Sequence, residues 1–554
     1  MSALAAVGLG TGVFPGVLWA RLQEQEEPEV TAQMIADAGQ VSGIEFTEEE
    51  REEIADDLSQ NLRSYRVLRE LEVPNDVPFP LVFDPVVPGT EPPAGESYLR
   101  LADPGTVRRP SGSLEQVAFW PVTRLAELVR TRQVSSEELT RMYLERLERH
   151  GPTLNCVVTL TEERALEQAR RADAEIAAGR YRGPLHGIPW GAKDLLAVRG
   201  YPTTWGAGPY RHQVIDADAA VVQRLDAAGA VLVAKLTLGA LAWGDVWFGG
   251  QTRNPWNLEQ GSSGSSAGSA SATVAGLVGF AIGSETLGSI VSPSTRCGAT
   301  GLRPTFGRVR RTGAMALSWS MDKLGPICRS VEDCAIVLAA INGADGIDRS
   351  CYDAPFAWDG RTGLADLRVG YFRSGFEEDH RTKEYDDAIL DVLRSEGARL
   401  IPFELPDEEP VGALRIILTA EAGAAFDDLT LSGDADDLAS PWGPVFKESR
   451  FIPAVEYIQA NRVRARVMER LRAAMRDIDV FVTPSYAGSV LLMTNLTGHP
   501  TVVLPNGFTD EGTPVSISFV GRLWNDAAAL EAARAYQDAT DWHTRQPPLF
   551  AVGA

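Results

Sequence analysis

Gln260-Gly-Ser-Ser-Gly-Ser-Ser-Ala-Gly-Ser269 opens the part of the chain that decides its fold, and Gly283-Ser-Glu-Thr-Leu-Gly-Ser289-Ile closes it. An apolar run, residues 274–282, joins the two segments. Upstream lies a lysine between apolar residues, in Gly187-Ile-Pro-Trp-Gly-Ala-Lys193-Asp. Burial lowers the pKa of a lysine, and glycines leave backbone N–H groups accessible. Serine hydroxyls beside such an amine are the groups that a serine nucleophile with a lysine base requires.

Two other interpretations of the Gly/Ser segments exist. One is a flexible linker, but the strongly apolar run that follows, ending in another glycine-containing turn, favours a buried loop. The other is a phosphate-binding loop. That interpretation fails because no Gly-Lys-Ser/Thr occurs at the spacing of the Walker motif.

Apolar periodicity predicts alternating helices and strands. Helix starts with a capping box are expected at Thr47 to Glu50 and at Ser135 to Glu138. Short β-branched runs bordered by turn residues predict strands at residues 230–236, 367–372, 480–483, 501–504 and 515–520. This alternation predicts an α/β fold with sheet and helix layers.

The chain divides into three predicted parts. Residues 1–20 form an apolar, signal-like segment, and 21–112 form an acidic helical extension followed by a proline-rich arm at 74–93. The main domain spans 113–554. Within it, residues 375–475 have fewer strand signals, which favours a helical cap inserted into the domain.

The segment 1–20 resembles the apolar core of an export signal without its basic start, so we expect a periplasmic or extracellular protein. Glycines make a stable membrane span a weaker interpretation. A buried or frayed N-terminus, in a cytoplasmic protein, is the other alternative. The apolar face of the predicted helix after Thr47 must be covered by the main domain or by a second copy, so a homodimer is a hypothesis.

Composition limits the function. A net charge of −23 argues against nucleic acid as a partner, because phosphate binding requires a basic face. The 6 histidines and 5 cysteines have no zinc-site spacing, so no metal site is expected. Isolated, buried thiols are the interpretation for the cysteines, and one disulfide stays open.

Several motifs in order resemble the amidase signature family over roughly residues 115–545. Besides the segments quoted above, they are Asn254-Pro-Trp-Asn257, Gly301-Leu-Arg-Pro-Thr305, Gly325-Pro326, Arg329-Ser-Val-Glu-Asp333 and Asn495-Leu-Thr-Gly-His-Pro500. The resemblance implies a large mixed central β-sheet flanked by helices on both faces, to which this chain adds its N-terminal helical extension. It implies no metal and no organic cofactor.

The resemblance also implies a Ser–cis-Ser–Lys triad. The family's bridging serine precedes its nucleophile by about two dozen residues, and Ser265 lies 24 residues before Ser289. This spacing selects Ser265 as the bridge, Ser289 as the nucleophile and Lys193 as the base. The backbone N–H groups of Thr286, Leu287, Gly288 and Ser289 would then line the oxyanion hole.

Two departures from the family pattern bear on the substrate. Leu287 stands where many members have glycine, and Val291 stands where many have arginine. The form Glu285-Thr-x-Gly-Ser-Ile-Val is more similar to the subgroup that includes peptide amidases. The missing cation favours an uncharged or hydrophobic small-molecule or peptide amide over a small acidic one.

Four functions are compatible with these motifs. The first is a stand-alone amidase that releases ammonia or an amine. The second is an amidotransferase A-type subunit that works with partner subunits, and the third is an esterase or carbamate hydrolase on the same triad. The fourth is a binding protein that keeps the fold without catalysis.

Overall fold

The computed structural model describes residues 30–71 and 73–552. Its described residues form the following α-helices: α1 Ala32–Ser42, α2 Glu48–Arg69, α3 Val122–Arg130, α4 Ser136–Leu154, α5 Glu162–Ala177, α6 Ala220–Ala227, α7 Ala267–Val274, α8 Val291–Cys297, α9 Val331–Ile341, α10 Arg373–Glu377, α11 Lys383–Ser395, α12 Arg415–Ala425, α13 Asp427–Ser432, α14 Trp442–Ser449, α15 Ala454–Ala474, α16 Val490–Thr497 and α17 Asp526–Asp538.

The strands of the described chain are β1 Tyr98–Leu99, β2 Val157–Leu160, β3 Pro189–Lys193, β4 Val231–Leu236, β5 Val246–Trp247, β6 Gly250–Gln251, β7 Arg253–Asn254, β8 Asn257–Gly261, β9 Phe280–Glu285, β10 Thr300–Arg303, β11 Lys323–Cys328, β12 Ala357–Trp358, β13 Val369–Phe372, β14 Ile401–Phe403, β15 Val480–Pro484, β16 Thr501–Phe508 and β17 Pro514–Gly521. Eleven of them form one sheet in the order β14-β13-β15-β17-β16-β10-β11-β9-β3-β4-β2.

The central sheet is mixed. Strand β3 runs parallel to both β4 and β9, whereas β10, β11, β16 and β17 pair antiparallel with their neighbours. Helices flank the sheet on both faces. The predicted α/β fold and the five predicted strands are therefore confirmed.

Strand direction places the site. Since β3 and β9 are parallel neighbours, their carboxyl ends meet at one edge of the sheet. Lys193 is the last residue of β3, and Glu285 is the last residue of β9. Burial of every residue in both strands explains why they are apolar rather than alternating.

Both predicted capping boxes are confirmed. Thr47 accepts a hydrogen bond from the N–H of Glu50 and Ser135 accepts one from Glu138, and each glutamate returns a bond to its cap. The proline-rich arm contains no regular helix, as expected. The predicted signal-like segment 1–20 lies outside the described residues.

Helix α2 is only partly covered by the rest of the chain. On its predicted apolar face, Ile54, Leu58 and Leu62 are half-buried, but Tyr65 and Leu68 remain 48% and 62% exposed. The homodimer that would cover this surface stays a prediction.

The region 375–475 is mostly helical but is not separate from the sheet. Strand β14 lies within it and forms an edge of the central sheet through its pairing with β13. None of the described helices is both long and apolar enough to cross a membrane. All five cysteines are free thiols, and four of them are buried.

We predict that Asp526→Ala lowers the free energy of unfolding by about 3 kcal/mol or more, because it leaves a buried cation unpaired. Asp526 is fully buried and accepts hydrogen bonds from the Thr305 backbone at 2.9 Å and from Arg308 Nε at 2.7 Å. Chemical denaturation measures the change. Asp538→Ala, at an exposed site of the same helix, is the control and should alter stability by about 0.5 kcal/mol or less.

Candidate active site

A fully buried amine lies at the end of β3. Lys193 Nζ donates to Ser265 Oγ at 2.8 Å and to Ser284 Oγ at 2.8 Å, with Ser266 Oγ at 3.0 Å and the Ser284 carbonyl at 3.4 Å. All four acceptors are neutral oxygens. The amine therefore has hydrogen-bond partners but no carboxylate in direct contact among the described residues.

Burial lowers the pKa of Lys193 well below its usual range, and the negative charges of Asp322 and Glu285 oppose this shift only partly. Desolvation acts in this direction because it penalises the charged form of the amine. A lysine in this setting can accept a proton near neutral pH, which a solvent-exposed lysine cannot do.

Ser265 and Ser289 lie on two loops that meet beside this amine. The peptide bond between Gly264 and Ser265 is cis, as the resemblance implied. The backbone N–H of Ser266 donates to the Ser289 carbonyl at 3.1 Å, which joins the two loops. Lys193 and Ser265 thus share a hydrogen bond, whereas no bond between the Ser265 and Ser289 side chains is present in the described chain.

The loop before Ser289 carries backbone N–H groups that are free to donate. Leu287, Gly288 and Ser289 make no backbone hydrogen bond through N–H to any described residue. Gly288 has a φ of +86°, which a residue with a side chain rarely adopts. This conformation turns the loop so that consecutive N–H groups can face one point, the arrangement that a developing oxyanion requires.

Glu285 anchors the other end of this loop. Its Oε2 accepts hydrogen bonds from the N–H groups of Ile290 at 2.8 Å and Val291 at 2.9 Å. Its Oε1 accepts from Arg303 Nη1 at 2.7 Å and from Asn495 Nδ2 at 2.8 Å. Burial raises the pKa of Glu285, but Arg303 and the Val291 N–H outweigh it and hold the pKa at about 2.

The sequence contained Glu285, Arg303 and Asn495 in its motifs but gave them no role. A second missed contact joins Thr286 to Asp322, since Thr286 Oγ1 donates to Asp322 Oδ1 at 2.6 Å. Ser284, whose hydroxyl binds Lys193, also lacked an assigned role. Within the described residues no three His, Cys, Asp or Glu side chains are grouped as a metal site would require.

A cavity of about 600 Å³ opens beside the loop. Ser284 and Thr286 line its inner end, although Ser289 itself does not. Most of the wall is apolar, with Leu195, Trp205, Ile215, Met315, Trp319 and Leu324 among its residues. A mainly apolar cavity of this size with a few polar groups at one end is typical of small-molecule sites.

Comparison with known proteins identifies the family. The Amidase profile matches residues 138–491, more than half of the chain, so the chain belongs to the amidase family, whose members are the amidase signature enzymes. These enzymes act on carbon–nitrogen bonds.

Relatives of two kinds are similar to the chain. The A-type subunit of the glutamyl-tRNA(Gln) amidotransferase from Methylococcus capsulatus is 35% identical over 482 residues, covering 78% of this chain and 99% of the relative. Its counterpart from Roseiflexus castenholzii is 35% identical over 486 residues, covering 78% and 98%. The native peptide amidase from Stenotrophomonas maltophilia has a similar structure, with a TM-score of 0.71, 31% identity and coverage of 79% and 100%.

We predict that Glu285→Ala destabilises the protein by about 3–5 kcal/mol, because it leaves the Arg303 guanidinium buried without its carboxylate. Chemical denaturation measures this loss. Glu285→Gln separates charge from shape. Since the depressed pKa of Glu285 stabilises the fold above its unfolded value and loses that effect as pH falls towards 2, the stability of the Gln variant should fall less between pH 5 and 2. Equal pH dependence in both proteins would contradict the role of the charge.

Proposed function

We propose that this protein is a stand-alone amidase that hydrolyses the carboxamide bond of an uncharged or hydrophobic small-molecule or peptide amide through a serine acyl-enzyme. The observation that carries the proposal is the fully buried Lys193, hydrogen-bonded to Ser265 and lowered in pKa. A neutral lysine beside a serine pair is the base that amide cleavage needs.

Ser289 is the proposed nucleophile. Its hydroxyl proton passes to Ser265, whose own proton passes to neutral Lys193, while Ser289 Oγ attacks the amide carbon. The carbonyl electron pair moves to oxygen and is stabilised by N–H groups of Thr286, Leu287, Gly288 and Ser289. This geometry needs the Ser289 side chain to reach Ser265, a contact expected once substrate is bound.

Collapse of the tetrahedral intermediate breaks the carbon–nitrogen bond. The proton returns from Lys193 through Ser265 to the leaving nitrogen, so ammonia or an amine departs neutral. Water then attacks the acyl-enzyme, and the same relay takes its proton. The carboxylic acid leaves, and the Ser289 hydroxyl is restored. No cofactor enters this proposal.

The cavity supports a neutral acyl group. Its one basic lining residue within the described chain, Arg311, forms an ion pair with Asp348 at 3.0 Å and donates to Ser350 Oγ at 2.6 Å. A substrate carboxylate would need a cation that is not already paired. Val291, at the position where many family members carry arginine, has its side chain buried and supplies no charge.

The second candidate is an A-type subunit of an amidotransferase, which the 35% identity to such proteins favours. Such a protein would act on an amide donor only with partner subunits. An esterase or carbamate hydrolase on the same triad is the remaining variant. The export expectation and the homodimer stay predictions.

We predict that a fluorophosphonate probe labels Ser289 and that Lys193→Ala slows labelling by about 10²–10⁴-fold, the usual contribution of a positioned base. Mass spectrometry of the labelled peptide identifies the site. Ser262→Ala is the matched control, because Ser262 lies in the same loop but donates to the Ser263 carbonyl instead of accepting from Lys193. Ser262→Ala should label at the wild-type rate, and label on any other residue would contradict the triad.

The activity should rise with pH and level off below the usual lysine range, because only neutral Lys193 accepts a proton and burial lowers its pKa. Measuring kcat/KM for a neutral amide between pH 5 and 10 tests this. A rate that is still rising above pH 10 would contradict a lysine base of depressed pKa.

Turnover of neutral primary amides by the purified chain, without glutamine hydrolysis, supports the stand-alone amidase. Glutamine hydrolysis that appears only with added partner subunits would favour the second candidate.

A further inference from the structure

The outer wall of the cavity comes from outside the matched family region. Pro74, Asn75, Asp76 and Pro78 of the proline-rich arm line the cavity together with residues of the main domain. The Amidase profile begins at residue 138, so this wall is built from an extension that precedes the matched domain.

Asn75 fixes the arm to two other walls of the cavity. Its Nδ2 donates to the Ala316 carbonyl at 2.8 Å and to the Ala425 carbonyl at 3.3 Å, and its Oδ1 accepts from the Ala316 N–H at 2.8 Å. One side chain thus joins the arm, the loop before β11 and the end of helix α12. Three such bonds from one side chain hold the arm in a single position.

Aromatic contacts keep the following residues of the arm in place. Phe79 packs against Trp319 with ring centroids 5.7 Å apart. Phe83 lies 3.5 Å below the buried guanidinium of Arg464 and 5.0 Å from Phe306. The arm is therefore attached both within the stretch that lines the cavity and beyond it.

The loop that Asn75 holds also contacts the predicted oxyanion loop. The N–H of Leu317, adjacent to Ala316, donates to Asp322 Oδ2 at 2.8 Å. The other oxygen of Asp322 accepts from Thr286 at 2.6 Å. A short series of hydrogen bonds therefore runs from Asn75 towards the reacting centre.

We propose that residues 74–78 are the specificity-determining wall of this amidase and select the group of the substrate farthest from the scissile amide. The closed wall limits that group to the size of the cavity. The exposed carboxylate of Asp76 disfavours substrates with an anionic distal group. The substrate class is a primary amide of a compact acid whose distal end is apolar or cationic, and the inference rests on the proposed function.

Asn75→Ala tests the wall. We measure kcat/KM for a matched pair of primary amides, one with a short alkyl group and one with an aryl-alkyl group too long for 600 Å³. Freeing the arm should raise the long-to-short ratio of kcat/KM by about tenfold, the scale at which pocket size discriminates. Leu81→Ala, at a 71% exposed arm position away from this cavity, should leave the ratio unchanged.

Asp76→Asn tests charge without disturbing the fold, because the side chain is exposed. We compare two amides of equal length that end in a carboxylate or in a neutral ester. The variant should improve the anionic-to-neutral ratio of kcat/KM by about fivefold at low salt, and the gain should shrink at high salt.

The outcomes separate the two proposals. Wild-type protein that cleaves no amide overturns the proposed function. Wild-type activity with both ratios unmoved in Asn75→Ala and Asp76→Asn overturns the specificity wall alone. A shifted size ratio that Leu81→Ala also produces would overturn the assignment to residues 74–78. Thermal melts show whether Asn75→Ala stays folded, and the Asp76→Asn measurement decides if it does not.

Discussion

The removal of one lysine from water governs the arrangement of this structure. Lys193 has no exposed surface, and an ammonium ion at such a position is costly unless it gives up its proton or gains partners. Three serine side chains supply hydroxyl oxygens to it, from Ser265, Ser266 and Ser284. Serine and glycine abundance in these segments is therefore a consequence of solvating a buried amine with short neutral groups while leaving room for a loop.

Charge is used differently one strand away. Glu285 and Arg303 are both fully buried, and their ion pair also receives Asn495 from helix α16. An ionised pair tolerates burial only when its remaining hydrogen-bonding groups are satisfied, which these neighbours do. The pair holds the end of the nucleophile loop, so the same edge of the sheet contains a fixed ionic anchor and a neutral base.

Sequence and structure agree where the information is local. The strands at 480–484 and 501–508, the two capping boxes and the lysine and serine segments follow from periodicity, from turn residues or from family motifs. Contacts between distant residues could not be predicted in this way. Asn75 meets Ala316 across 241 positions, and Glu285 meets Asn495 across 210. No single sequence pattern specifies such pairs, because they depend on how the finished sheet places its loops.

The strand order has a consequence for synthesis. Strand β10 lies in the middle of the sheet, yet its neighbour β16 comes much later, and Arg303 contacts His499 across 196 residues. A ribosome that adds about 5–20 residues per second needs about 10–40 s to supply that neighbour. During this interval the nascent chain presents an unpaired strand edge, which is a site of aggregation. Lys193, Ser265 and Ser289 are all synthesised early, but their surroundings are completed only when nearly the whole chain has left the ribosome.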